Sequence, residues 1–223
     1  MDLLGQCKFF DGDMIARAFK IKSNTVNRNR NETFLGIDPS MYHVGTAMVW
    51  RKGHEIIRTE RLNGTDNLDC LAEQIYGEIK ELPVSTNVFI DIGGVGGRAE
   101  RVLRQMRLER HDDAFRIIAV RLDEPAGNEM YIDKRAELYD NMYQWMRKFD
   151  VSFAPSDEFL EQFKSVSYMY NPNWLCISPK TDVPFFPNLV EALALTFYYG
   201  VPRNAEEAYS PPMRLVCENR VFD

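Results

Sequence analysis

Cysteine is scarce and scattered in this sequence. The 223 residues hold four, Cys7, Cys70, Cys176 and Cys217, and no two form a CxxC pair, which argues against a zinc ribbon. Reduced and mostly buried thiols are expected instead. Long apolar runs are missing too. None approaches the ~18 residues that span a bilayer, and the N-terminal region lacks the apolar core of a signal peptide. Both observations argue against a membrane or secreted protein and for a cytosolic one. Positive charge is in deficit: 27 Lys and Arg stand against 33 Asp and Glu, for a net charge of −6 and a pI near 5.2. That balance disfavours tight, sequence-independent nucleic-acid binding by this chain alone. It is compatible with a cluster of carboxylates whose charge is offset by bound cations. The sequence also lacks a GxxxxGK[ST] phosphate loop, a GxSxG elbow and a Cys-His pairing, the marks of P-loop ATPases and of covalent hydrolases.

What is present is ordinary globular material, 45% hydrophobic and 27% charged. The length suffices for one generous domain or two small ones. Residues 1–32 are expected to be a linker or N-terminal extension. Met14–Phe19 is amphipathic, but Ser23–Glu32 is polar and poor in core residues. A compact domain is expected over 33–203, and an extended tail carrying Pro211-Pro212 over 204–223. Within the domain, Phe34–Asp38, Val44–Trp50 and Glu55–Leu62 have the pattern of a meander, with Gly53 in a turn. Leu68, Leu71, Ile75 and Ile79 mark one face of a helix. Val88–Ile92 is a short apolar run of the kind buried at a sheet centre. A helix over about 98–110, the strand Phe115–Val120, a helix capped by Asp133, a helix after Pro155-Ser156, a strand over 174–178 and a helix after Pro187 follow. The order predicts an α/β fold with a mixed central β-sheet flanked by helices.

Three acids fall at the ends of these elements. Asp38 ends the first strand, Asp91 ends the buried run just before Gly93-Gly94-Val95-Gly96-Gly97, and Glu191 opens the last helix. Ligand sites in such sheets collect at strand carboxyl ends. Clustered carboxylates suit hard divalent cations, which prefer oxygen. The expected chemistry is metal-dependent phosphoryl transfer, and a nuclease in particular.

Gly36-Ile37-Asp38-Pro39-Ser40 resembles the first-strand motif of the RNase H-like nuclease domain of viral (tailed bacteriophage) terminase large subunits. Ile90–Gly96 resembles the second acidic motif of that family, Asp133–Tyr139 its Lys-Arg-Ala helix start, and Pro187–Phe197 its closing helix. The resemblance spans roughly Phe34 to Gly200. It implies an RNase H-like fold and a two-metal endonuclease that cuts concatemeric double-stranded viral DNA during genome packaging, in the host cell cytoplasm. Asp38, Asp91 and Glu191 would then hold two Mg2+ or Mn2+ ions. Lys180 would be an auxiliary phosphate ligand, with Asn188, Arg98, Arg101, Lys134 and Arg135 auxiliary or DNA-contacting. Implied partners are double-stranded DNA, an ATPase motor, a small subunit and the portal, with no membrane. The chain departs from the family pattern in having Glu191 where Asp is usual, Asn188 where a second Asp is frequent, and no motor motif. The last point implies a nuclease fragment or a split subunit. A Holliday-junction resolvase or transposase of the same fold is the enzymatic alternative. A non-catalytic domain docking DNA or the portal is the other.

Plainer readings stand beside each signal. Asp38 precedes Pro39 and could be a turn residue. Asp91 could cap the glycine turn. Asn188-x-x-Glu191 fits a capping box. Gly94-x-Gly96-x-x-Ala99 could be a dinucleotide fingerprint, with Asp112 or Asp113 as its acid. Arg98, Arg101, Arg104, Arg107 and Arg110 form a ridge of net +3 over 98–110 (five Arg minus two Glu), which could track phosphates or be a solvated face. His43 could act near the metals or be a plain loop histidine.

Overall fold

The computed structural model describes residues 7–21, 33–41, 45–80, 86–169, 174–180 and 186–201. Its frame is the strand run β2 (Thr33–Asp38), β3 (Ala47–Lys52), β4 (Glu55–Arg61), β5 (Thr86–Asp91), β6 (Phe115–Val120) and the short β7 (Ser152–Phe153). These form one mixed sheet in the order β6-β5-β2-β3-β4-β7. The meander pairs antiparallel, while β5 joins β2 in parallel with Ile37 opposite Ile90. That register sets the carboxyl ends of β2 and β5, and so Asp38 and Asp91, side by side.

Strand periodicity explains the two cores. Leu35, Ile37, Val88 and Ile90 face the layer of α2 (Leu68–Ile79) and α3 (Gly96–Glu109). Val49 and Phe89 face the other layer, made of α1 (Gly12–Lys20), α4 (Lys134–Lys148), α5 (Asp157–Ser165) and α6 (Asn188–Leu195). α6 is buried on every side, as befits a helix with no solvated stripe. It lies directly on β2. A Cβ at Gly36 would meet the Ala192 carbonyl oxygen at 1.7 Å, so only glycine permits this approach.

Helix ends follow expectation where a local polar side chain dictates them. Asp133 accepts from the Ala136 amide at 2.8 Å, Ser156 from Phe159 at 3.2 Å, and Asn67 from Asp69 and Cys70. The expected linker needs correction. Within 1–32, β1 (Cys7–Lys8) pairs with β8 (Ser167–Met169) in a second sheet with β9 (Cys176–Ile177), and Phe9, Phe10, Ile15 and Ala18 are buried in the larger core. Residues 7–20 therefore belong to the packed unit. The tail 204–223 and His43 lie outside the described residues. The thiol expectation holds only in part. Cys70 and Cys176 are free, but exposed and half-buried rather than buried, and Cys7 is disulfide-bonded.

Candidate functional site

Asp38 is brought to the site by β2, and its carboxylate is almost fully buried. Lys180, three residues beyond β9, donates from Nζ to Asp38 Oδ2 at 2.8 Å. Asp91 ends β5 and turns back on its own glycine loop, where Oδ1 accepts from the Gly93 amide at 2.9 Å. The tight turn continues at Gly96, where a Cβ would fall 1.9 Å from the Asp91 carbonyl oxygen. The capping reading of Asp91 thus holds for one oxygen of the side chain, whereas Val95, the N-cap of α3, makes no side-chain cap bond.

Glu191 arrives from the first turn of α6 and is 0% exposed. It does not cap the helix. The N-cap is Pro187, without a side-chain bond, and the capping-box pattern is overridden by tertiary contacts. Oε1 of Glu191 lies 2.7 Å from both Nε and Nη2 of Arg135 and accepts from the Tyr139 hydroxyl at 2.9 Å. Oε2 is buried with no hydrogen-bond partner among the described residues.

The three carboxylates feel one another. Burial, chiefly, and then the charge of Asp38 push the Asp91 carboxyl up from 3.8 to about 6. Burial raises Asp38 as well, and Lys180 only partly offsets it. Burial acts upward on Glu191, but Arg135 and Lys180 outweigh it and hold that carboxyl below its usual value. Burial acts downward on Lys180, but the charges of Asp38 and Glu191 outweigh it and the ammonium is pushed up to about 12. Two cations therefore already interleave three acids. As arranged, no group of three or more His, Cys, Asp or Glu side chains among the described residues is set at ligand spacing. The donor set nevertheless fits a hard cation. It is all oxygen, it includes one orphaned buried carboxylate oxygen, and an ammonium stands against Asp38 where positive charge is favoured.

The other expected site residues separate into groups. Asn188, fully buried, donates from Nδ2 to Gly45 O at 3.3 Å. Its Oδ1 accepts from Arg61 at 2.8 Å and Gln162 at 3.4 Å. It is a structural hub at the start of α6. Arg135 points inward to Glu191 and to the Ile177 and Ser178 carbonyls, which replaces the expected contact with DNA. Lys134 pairs with Glu137 at 2.7 Å. On the arginine ridge, Arg104 pairs with Glu100, Arg107 with Asp113 and Arg110 with Glu73. Arg98 and Arg101 are exposed at the start of α3, just past the Asp91 turn. Asp112 accepts from the Tyr76 hydroxyl at 2.9 Å. With Asp113 paired to Arg107, neither acid stands at a strand end as a dinucleotide site requires. Sequence reasoning missed Tyr139. It sits four residues after Arg135, one helical turn on, and that spacing was the available signal.

No family model matches the sequence, and no curated protein does. Solved structures do match. The nuclease domain of the large terminase subunit gp2 of bacterial virus Sf6 aligns with a TM-score of 0.67 at 15% identity, over 88% of this chain and 100% of that one. The large terminase nuclease from thermophilic phage G20c with bound magnesium aligns at 0.58 and 13%, over 85% and 96%. The HK97 bacteriophage large terminase aligns at 0.61 and 8%, over 88% of this chain and 44% of that one. Other Sf6 and G20c structures hold manganese or cobalt. The chain thus shares the fold of these phage large terminase nuclease domains, a mixed sheet flanked by helices.

Proposed function

We propose that this chain is a divalent-cation-dependent endonuclease that cuts double-stranded DNA, as the nuclease domain of a phage packaging terminase. One observation supports the reading: Asp38 and Asp91 end the adjacent parallel strands β2 and β5, and Glu191, with one carboxylate oxygen left without a partner, stands on the helix packed against β2, in a fold shared with terminase nucleases. These three side chains would hold Mg2+ or Mn2+, two ions in this reading. Such ions, when bound, lower the pKa of water and offset the charge gathering on phosphate oxygens. The chain's own residues do the rest. Asp38 and Asp91 fix the position of positive charge at the carboxyl ends of the two central strands. Lys180 is held within reach of Asp38 and is free to transfer its hydrogen bond to a phosphate oxygen when that carboxylate engages a cation. Exposed Arg98 and Arg101 supply phosphate contacts beside the Asp91 turn. The acidic balance of the chain makes the packaging motor, small subunit and portal the proposed partners for gripping DNA, in the host cytoplasm.

A plasmid-nicking assay tests this. Cleavage with Mn2+ is expected, abolished by EDTA and by Asp91→Asn. Equal cleavage by wild type and Asp91→Asn overturns it. A second reading, a nuclease-like domain that docks DNA or the portal without cutting, draws on Asn188, which places a neutral amide on the turn before Glu191 and commits it to structural contacts. Metal binding without cleavage would favour that reading, and junction-selective cutting a resolvase.

A further inference from the structure

Glu191 is held asymmetrically. All three donors near it converge on Oε1, and Oε2 is left bare. The guanidinium that does most of this cannot swing away. Its Nη1 donates to Ile177 O at 3.1 Å and Ser178 O at 2.9 Å, and the Arg135 amide is tied to Leu122 O at 3.0 Å. Tyr139, 0% exposed, closes the other side.

An unrestrained glutamate can chelate through both oxygens, bridge two ions, or rotate between these modes. Three donors on one oxygen, two of them from a cation, engage its lone pairs in strong charge-assisted bonds. We propose that Arg135, assisted by Tyr139, is a positioning residue that restricts Glu191 to a single-oxygen ligand, presenting Oε2 alone to a divalent cation. This rests on the metal-centre reading above. It gives the longer side chain a fixed reach, since the arginine fork locks the terminal torsion that the extra methylene frees. The same guanidinium holds the backbone at 177–178, two residues before Lys180, so one group sets both the third acid and the strand that delivers the lysine to Asp38.

The test is calorimetric titration of MnCl2 into the full chain, with thermal melts in EDTA for every variant. Wild type should bind and Asp91→Asn should not. Arg135→Lys should weaken Mn2+ affinity by about 10-fold or more, the range for residues that orient a metal ligand. Tyr139→Phe, which removes one hydroxyl and should fold, should weaken it in the same direction by less. In a Glu191→Gln background, Tyr139→Phe should cause no further loss, because its effect runs through the carboxylate. Wild-type affinity in both Arg135→Lys and Tyr139→Phe overturns the inference and leaves the metal centre standing. So does an undiminished Tyr139→Phe effect in the Glu191→Gln background. If wild type binds no Mn2+, or Asp91→Asn binds equally, the metal-centre reading falls and takes this one with it.

Discussion

Gly36 of β2 and Ala192 of α6 are in backbone contact. A Cβ on the glycine would fall 1.7 Å from the alanine carbonyl oxygen, well inside any tolerable separation. This contact sets how far Glu191 stands from Asp38. Gly36→Ala must push α6 off the sheet, and is expected to cost about 3 kcal/mol, at the upper end for overpacking. Denaturant unfolding gives the value. A loss below about 0.5 kcal/mol, the size of a neutral surface change, would mean the helix is not packed on β2 as described.

Asp91 ties stability to pH. Its carboxyl is raised from 3.8 to about 6, so the folded chain holds that proton more tightly than the unfolded one. Its favourable contribution is present at low pH and is lost as pH rises from about 4 through about 6. Without cations, Asp91→Asn should therefore be more stable than wild type at pH 7 by about 1–2 kcal/mol, a figure reduced for partial solvation. The gain should shrink toward pH 4.5. Melting curves at both pH values in EDTA check it, and a gain independent of pH would refute the assignment.

Lys180 neutralises a buried acid, with Asp38 only 5% exposed. Lys180→Met leaves that acid unpaired, and should destabilise the cation-free protein by about 2–3 kcal/mol, somewhat under the cost of breaking a fully buried pair. Excess Mn2+ should restore much of the loss, since an ion bound to the folded state alone stabilises it. Melts of both proteins with EDTA and with Mn2+ give the comparison. No recovery with Mn2+ would count against a cation site at Asp38.

Asn188 donates and accepts at once, to Gly45 O and from Arg61 and Gln162. Asn188→Asp keeps the acceptor but faces the Gly45 carbonyl with a carboxylate. A loss of about 1–3 kcal/mol is expected, the cost of unsatisfying a buried polar group. Unchanged stability together with tighter Mn2+ binding would instead mark the position as an open ligand site.

Much of this site was legible in the sequence because its signals are local. Asp38 and Asp91 each end a short apolar run, and Gly93-Gly94 announces the turn. The parallel pairing of β2 and β5 follows from the βα alternation. The inward role of Arg135 was not legible, because its partner lies 56 residues away. Asn188-x-x-Glu191 satisfied a capping pattern, but both side chains are captured by groups on α4, α5 and β4 that no local window contains. The N-terminal stretch was read as a linker because β1 is two residues long and Phe9 and Phe10 precede α1 outside any period. β7 and β8, of two and three residues, carry too few positions to show alternation.

α6 presents mostly leucine, valine and alanine to its surroundings, and such a helix is a poor ruler. A shift of one residue, ~1.5 Å along the axis and ~100° around it, exchanges one apolar side chain for another against the sheet, so burial alone separates such settings less sharply than the directional polar contacts at the two ends do. Asn188 engages at the start, and at the finish the buried Arg51 donates to Thr196 Oγ1 at 2.9 Å and Thr196 O at 2.8 Å. Together they act as index marks, admitting one setting of the helix. In any other, Glu191 would lose its place against Arg135 and Tyr139.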